Sequence, residues 1–208
     1  MMKNYSVIVF DLGNVLLPFD YTKPVNRFNE IQPGLGDRFA ALYRKNYNVH
    51  RDFEKGILSE EEYLAAMMKW LENTVTPEKF CKEFSDVFTL SQNVIDLIPG
   101  LKKKYSVLLL SNTNSIHYKY GYCQYEFLNL FDKLFLSYEI GAAKPEEAIY
   151  RAVETYTRKP SSEHLFIDDI KEYVEGAKAC GWDAIQFKGY QNLVKELDKR
   201  GVEIGSKQ

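Results

Sequence analysis

Five short apolar runs divide the chain, and their pattern is typical of buried strands. Each is four or five residues long, rich in Val, Ile, Leu and Phe, and without alternation of apolar and polar positions. Strands covered on both faces of a parallel sheet have this pattern. The runs are Ser6–Phe10, Ser106–Leu110, Lys133–Ser137, His164–Ile167 and Ala184–Phe187.

Helical patterns follow the later strands. Pro145–Tyr156 begins with a proline and two glutamates, residues that favour a helix N-terminus. Glu172–Cys180 and Gln191–Arg200 end just before Gly181 and Gly201, which are typical positions for a helix C-terminus. Strands that alternate with helices predict an α/β fold with a doubly wound, Rossmann-like parallel sheet.

A long stretch between the first two strands has helical patterns but no strand pattern. Ser59–Leu71 is its clearest helix, because Ser59 and Glu62 form a capping box. A second helix is predicted from Thr76, and weaker helical patterns cover Asp20–Phe28 and Asp37–Tyr47. A crossover between parallel strands needs only about a dozen residues. The sequence therefore predicts an α/β core of residues 1–19 and 92–208, with a helical subdomain of residues 20–91 inserted after the first strand.

Charge and cysteine content narrow the classes of function. The 27 Lys and Arg residues nearly balance the 29 Asp and Glu residues, so we expect neither a nucleic-acid nor a membrane partner. Cys81, Cys123 and Cys180 are far apart in the sequence, which favours a reducing, cytoplasmic location. No run of about 18 apolar residues predicts a membrane span.

Polar residues follow the predicted strands. Asp11 comes directly after the first strand and Ser111 after the second. Lys144 follows a short loop beyond the third, and Asp168 and Asp169 follow the fourth. Ligands of an open α/β sheet bind outside the carboxyl ends of its strands. We therefore expect these side chains to meet at one edge of the sheet.

These segments together resemble the four motifs of the haloacid dehalogenase (HAD) superfamily. FDLGNV contains Asp11, LSNTN contains Ser111, Lys144 precedes a proline, and FIDD contains Asp168 and Asp169. The order along the chain matches that of the family, and the helical insertion lies where the family has its C1 cap. The first two motifs resemble in particular the branch that contains the bacterial α-D-glucose-1-phosphate phosphatase.

The resemblance implies a Mg²⁺-dependent phosphatase that acts on a small phosphorylated metabolite, most simply a sugar phosphate. Asp11 would be the nucleophile that forms an aspartyl phosphate. A divalent cation would separate this anion from the phosphate, and Mg²⁺ prefers oxygen ligands. The resemblance assigns these ligands to Asp11, the carbonyl of Gly13, Asp168 and Asp169.

The remaining residues of the motifs would bind the phosphoryl group. Lys144 would pair with Asp11 and with the phosphate. The hydroxyl of Ser111 and the backbone N–H of Asn112 would hold a phosphoryl oxygen. Such preorganised donors stabilise the charge that develops in the transition state.

Two positions depart from the family pattern. Gly13 stands where most of these phosphatases have a second aspartate, the general acid/base, which typically contributes about 10²–10⁴-fold to the rate. The substrate could have a good leaving group such as an anomeric phosphate, Asp20 or His117 could substitute, or turnover could be weak or absent. Tyr173 stands where relatives often carry an Asn or Asp that supports the lysine.

Two rival functions remain at this point. A 2-haloacid dehalogenase would share the aspartate nucleophile without a metal, and a non-catalytic binding protein would explain Gly13. The adjacent Asp168 and Asp169 favour the metal-dependent phosphatase, because two like charges at a strand end call for a cation or a raised pKa.

Aromatic residues are unusually frequent, with 15 Tyr and 13 Phe. Most of those in the insertion are expected to build its hydrophobic core. Phe19 and Tyr47 are candidates to face the pocket and stack on a sugar ring.

Overall fold

The computed structural model describes residues 4–205, and a five-stranded parallel sheet lies at its centre. The strand order is β3-β2-β1-β4-β5, which confirms the predicted doubly wound α/β fold. The strands are β1 (Val7–Phe10), β2 (Ser106–Ser111), β3 (Lys133–Leu136), β4 (His164–Asp168) and β5 (Asp183–Gln186).

Helices cover both faces of the sheet and fill the chain between β1 and β2. The helices before β2 are α1 (Thr22–Ile31), α2 (Leu35–Lys45), α3 (Tyr47–Glu54), α4 (Glu60–Trp70), α5 (Pro77–Ser85), α6 (Gln92–Ile95) and α7 (Ile98–Leu101). Those after it are α8 (Ser137–Ile140), α9 (Glu147–Thr157), α10 (Lys171–Ala179) and α11 (Tyr190–Lys199). A π-helix spans His117–Tyr122, and 3₁₀ turns span Glu126–Leu130 and Ser161–Glu163. No helix in residues 4–205 has the length and apolar character that crossing a bilayer requires.

Residues of β1 pack on both faces of the sheet. Ile8 and Phe10 belong to one hydrophobic cluster, and Val7 and Val9 belong to another on the opposite face. All four side chains are buried. This two-sided burial is why the strands show no alternation of apolar and polar positions.

The register of the sheet aligns the ends of its central strands. Phe10 pairs with Leu109 of β2 and with Ile167 of β4. Asp11, the residue directly after β1, donates its backbone N–H to the carbonyl of Ile167 at 2.8 Å. The chain continues from β1 to β2 and β3 on one side and adds β4 and β5 on the other. Such a reversal of strand order opens a crevice at the carboxyl ends.

The helical insertion, defined here as α1 to α5, has an aromatic core of its own. Phe28, Tyr63, Phe80 and Phe84 are buried there with Met67 and other apolar side chains. The expectation that aromatic rings would build this core is confirmed. The predicted N-terminus of α4 is also confirmed, because Ser59 and Glu62 form the capping box there.

Two predicted helices differ from the observed ones. The pattern Asp37–Tyr47 corresponds to α2, and the chain turns at Asn46 into α3, which the sequence did not predict. The helix predicted from Pro145 begins at Glu147, because the backbone before it is extended at Glu146. Hydrogen bonds from the side chain of Asn112 hold the preceding backbone in that loop.

A substitution at Gly36 tests the packing of α1 on α2. A Cβ at Gly36 would lie 1.9 Å from the carbonyl oxygen of Val25, and the N–H of Gly36 donates to Asn29 Oδ1 at 2.8 Å. Gly36→Ala should therefore lower the free energy of unfolding by about 1–3 kcal/mol, as overpacking does. Urea denaturation measures this change. Ala41→Ser on the exposed face of α2 is the control, and equal midpoints for the two variants would contradict the close approach.

Candidate active site

A buried lysine lies at the carboxyl ends of β1 and β4. Nζ of Lys144 donates to Asp11 Oδ1 at 2.5 Å, to Asp168 Oδ2 at 2.6 Å and to the carbonyl of Leu110 at 3.1 Å. The side chain of Lys144 is 1% exposed. The ammonium therefore joins the ends of three adjacent strands, with β2 contributing the carbonyl.

The side chain of Asn112 fixes the backbone of Lys144. Its Oδ1 accepts the N–H of Lys144 at 2.8 Å, and its Nδ2 donates to the carbonyl of the same residue at 3.0 Å. The adjacent Thr113 is anchored by Ser137, whose Oγ accepts the N–H and donates to the carbonyl of Thr113. The sequence predicts a role only for the backbone N–H of Asn112. It does not predict that the side chain of Asn112 positions Lys144.

The structure brings Asp11, Asp168 and Asp169 together as expected. One carboxylate oxygen from each lies within 4.8 Å of the others. Asp168 Oδ1 also accepts the N–H of Ile170 at 2.8 Å, and Asp169 Oδ2 accepts from Asn14 at 3.2 Å. Three ionised carboxylates against one ammonium leave an excess of two negative charges. An all-oxygen donor set with this excess suits a divalent cation such as Mg²⁺.

The pKa values of these groups reflect the same imbalance. Burial raises the pKa of Asp11 to about 8, and Asp168 and Asp169 add to this rise while Lys144 opposes it. Burial also raises the pKa of Asp169. Burial alone would lower the pKa of Lys144, but Asp11 and Asp168 raise it above its ordinary value. A cation among the carboxylates would favour their ionised forms.

A cavity opens at the carboxyl ends of the strands, and Ser111 and Gly13 line it together with Asp11 and Asp169. Ser111 is the buried last residue of β2, and its Oγ is 3.3 Å from the carbonyl of Asn112. A Cβ built on Gly13 would lie 3.1 Å from Cε1 of Phe19. The ring of Phe19 therefore packs closely against the position where the side chain of a second aspartate would begin.

The two sequence candidates for the missing general acid lie in different surroundings. Asp20 is exposed, does not line the cavity, and accepts the N–H and the hydroxyl of Thr22 in a turn before α1. His117 does line the cavity, and its Nε2 is 2.9 Å from the hydroxyl of Tyr21. Burial lowers the pKa of His117 to about 3, so the ring is neutral at physiological pH. Within residues 4–205, its Nδ1 has no hydrogen-bond partner.

The helical insertion forms the opposite wall of a cavity of about 320 Å³. Phe19 and Tyr47 line this cavity, which confirms that they face the pocket. Further lining residues from the insertion and its approach are Tyr21, Tyr43, His50, Arg51, Glu54 and Phe88. The sequence missed Arg51 and Glu54, because it did not predict α3.

Tyr173 supports Lys144 through its ring. The ring centroid lies 5.1 Å from Nζ of Lys144, within the range of a cation–π contact. The hydroxyl of Tyr173 is 3.4 Å from Nη1 of Arg51, and Nη2 of Arg51 donates to the carbonyl of Lys144 at 3.2 Å. The ring face of Tyr173 and the carboxylate of Asp168 therefore both contact the ammonium of Lys144.

Comparison with known proteins finds relatives that cover nearly the whole chain. No protein-family profile matches it. D-ribitol-5-phosphate phosphatase from Bacteroides thetaiotaomicron is 32% identical over 206 residues, which span 95% of this chain and 97% of the relative.

Solved structures agree with this relationship. A HAD family enzyme from Bacteroides thetaiotaomicron, solved with magnesium and inorganic phosphate, superposes with a TM-score of 0.77 at 27% identity, covering 89% of this chain and 95% of the other. A predicted HAD-like hydrolase from Porphyromonas gingivalis superposes with a TM-score of 0.77 at 25% identity, covering 96% and 99% of the two chains.

Binding of Mg²⁺ to the carboxylates should stabilise the protein. At a concentration about 100 times the dissociation constant, the gain is about 2.7 kcal/mol. Without a cation, the raised pKa of Asp11 (about 8) means that stability falls as pH rises from about 4, the pKa of an unfolded aspartate, toward 8. The stabilisation by Mg²⁺ should therefore grow over this range, because the cation displaces the proton. Thermal unfolding with and without MgCl₂ at several pH values measures this effect.

Asp169→Asn should remove most of this stabilisation, and Glu172→Gln is the matched control. Glu172 is an exposed acid on α10 that lies outside the carboxylate cluster. A midpoint that does not respond to MgCl₂ in the unmodified protein would contradict the cation site.

Proposed function

This chain belongs to the HAD superfamily of hydrolases, and we propose that it is a Mg²⁺-dependent phosphatase of small sugar or polyol phosphates that works through an aspartyl phosphate on Asp11. It shares its family with phosphatases, and the enzyme class is that of a phosphoric monoester hydrolase. The observation that carries the proposal is the buried Lys144, paired with Asp11 and Asp168 at the inner end of the cavity.

Asp11 is the proposed nucleophile. Its Oδ1 accepts from Lys144, so Oδ2 is the oxygen that attacks phosphorus. This attack forms an O–P bond and breaks the ester P–O bond, and the leaving oxygen takes up a proton. Water then attacks the aspartyl phosphate, which releases inorganic phosphate and restores the carboxylate.

The charge of the phosphoryl group is balanced from two sides. Lys144, the hydroxyl of Ser111 and the backbone N–H of Asn112 are the proposed donors to its oxygens. Asp11, Asp168, Asp169 and the carbonyl of Gly13 would hold Mg²⁺, which supplies the positive charge that brings two anions together. Neutralisation of this kind is the main requirement of phosphoryl transfer.

The helical insertion is proposed to act as the cap over this site, with residues 20–91 as the cap and residues 1–19 and 92–208 as the core. Two contacts with the core support a position of the insertion beside the site: Lys55, directly after α3, pairs with Glu146 at 2.7 Å, and Arg51 donates to the carbonyl of Lys144. Substrate selection would then depend on the residues that the insertion adds to the cavity.

Gly13 offers no carboxyl group that could protonate the leaving group. Asp20 is outside the cavity and His117 is neutral, so neither is well suited to donate it. An anomeric phosphate would need little acid assistance, which is the argument for sugar 1-phosphates. The name of the ribitol-5-phosphate phosphatase points instead to a primary alkyl phosphate, where solvent would have to supply the proton.

Asp11→Asn tests the nucleophile. The amide cannot form the acyl phosphate, so hydrolysis of p-nitrophenyl phosphate with Mg²⁺ should fall by at least about 10⁴-fold, since loss of a covalent nucleophile can cost about 10⁶-fold. Asp20→Asn is the control, because this exposed acid lies outside the cavity. Substantial activity in Asp11→Asn, or release of halide from a 2-haloacid without Mg²⁺, would overturn the proposal.

A substrate panel tests the leaving-group argument. If the chemistry depends on a good leaving group, sugar 1-phosphates should exceed sugar 6-phosphates and polyol 5-phosphates in kcat/KM by about 10-fold or more, part of the contribution that a general acid makes. Steady-state phosphate release for each ester measures this ratio. A preference for the 5- or 6-phosphates would show that the missing second aspartate is not explained by an anomeric substrate.

A further inference from the structure

One face of α3 looks into the cavity opposite the carboxylates. Tyr47, His50, Arg51 and Glu54 all line the cavity, and their spacing of three, four and seven residues places them on one side of a helix. His50 and Glu54 are buried, although both are polar. Buried polar groups need hydrogen-bond partners, and His50 has them in the hydroxyl of Tyr63 and the carboxylate of Glu54.

Glu54 keeps room for further hydrogen bonds. Its Oε1 is 3.3 Å from Nε2 of His50, and its Oε2 is 3.4 Å from Nη1 of Arg51. Both contacts are long for hydrogen bonds, and a carboxylate has about four lone-pair sites. The carboxylate can therefore accept additional donors from the cavity.

The surroundings of Glu54 hold it in the ionised form. Burial alone would raise its pKa, but His50, Arg51 and Lys144 together lower it. A neutral hydroxyl group of a ligand can then donate to an ionised carboxylate. Such a hydrogen bond is stronger than one between two neutral groups.

Four tyrosines share the cavity with Glu54. Tyr21, Tyr43, Tyr47 and Tyr173 line the cavity, and burial together with the negative charge of Glu54 raises the pKa of each. For Tyr47 the pKa rises to about 12. The phenols remain protonated, so this wall offers hydroxyl donors and acceptors around one carboxylate.

We propose that Glu54, positioned by Arg51, accepts hydrogen bonds from the hydroxyl groups of a neutral polyhydroxylated leaving group and excludes esters whose leaving group carries a second anion. The inference rests on the proposed phosphatase function. It adds that the part of the cavity beside α3 binds the leaving group of the ester. Phosphate itself belongs at the other end, with Lys144 and the cation, because Glu54 repels a dianion. An ammonium group fits poorly, since Arg51 already lies beside Glu54 and would repel it.

The test compares two esters in Glu54→Gln and Glu54→Ala. D-ribitol 5-phosphate carries four free hydroxyls, whereas p-nitrophenyl phosphate has none. For the polyol ester, kcat/KM should fall by about 10- to 100-fold, mainly through KM, as expected for lost hydrogen bonds to a charged group. For the aryl ester it should change by less than about threefold. 2-Phosphoglycolate carries a second anion. In both Glu54 variants its kcat/KM should rise relative to that of the polyol ester.

Asp52→Asn is the matched control, because Asp52 lies on α3 but does not line the cavity. Thermal unfolding of each variant checks the fold, and Glu54→Gln preserves the side-chain shape if Glu54→Ala is unstable. Equal losses for the polyol and aryl esters, unchanged hydrolysis of the polyol ester, or preference of the unmodified protein for phosphoethanolamine would overturn the inference. Absence of aryl phosphatase activity in the unmodified protein would instead overturn the phosphatase proposal on which it rests.

Discussion

The ammonium of Lys144 can remain buried only because carboxylates flank it. Asp11 and Asp168 come from adjacent parallel strands, and the register of β1 on β4 places them side by side. Removing Lys144 would leave the buried carboxylates of Asp11 and Asp168 without a compensating charge, which is costly. The strand order brings the two aspartates together. The side chain of Asn112 fixes the loop that places Lys144 between them.

The pairing also leaves a surplus of negative charge, and this surplus determines what the site can bind. One ammonium cannot balance Asp11, Asp168 and Asp169, so the core end of the cavity suits a cation and, through it, an anion. The wall from α3 carries no such surplus of negative charge, because its single carboxylate lies among phenols and a guanidinium. A phosphoryl group at the core end and a hydroxylated leaving group at α3 match these two environments.

Much of the fold and the motif residues could be predicted from the sequence, and the physical reasons are specific. Buried strands have a recognisable composition, and residues at the carboxyl end of a strand must lie at that edge of the sheet, so Asp11, Ser111 and Asp168 could be located. Helix α3 could not, because its sequence YNVHRDFE is polar and its start at Asn46 has no side-chain cap. Arg51 and Glu54 enter the cavity through tertiary contacts, among them the bond from Arg51 to the carbonyl of Lys144, that no local pattern encodes.

The central claim is that Asp11, held by Lys144, carries the phosphoryl group between two chemical steps. Acid quenching during steady-state hydrolysis of an aryl phosphate, followed by peptide mass spectrometry, tests it most directly. The account predicts a mass increase of one phosphoryl group on the peptide that contains Asp11, absent in reactions without Mg²⁺. A phosphoryl adduct on another residue would contradict it, as would full turnover with no adduct on Asp11 when the quench is fast enough to trap acyl phosphates.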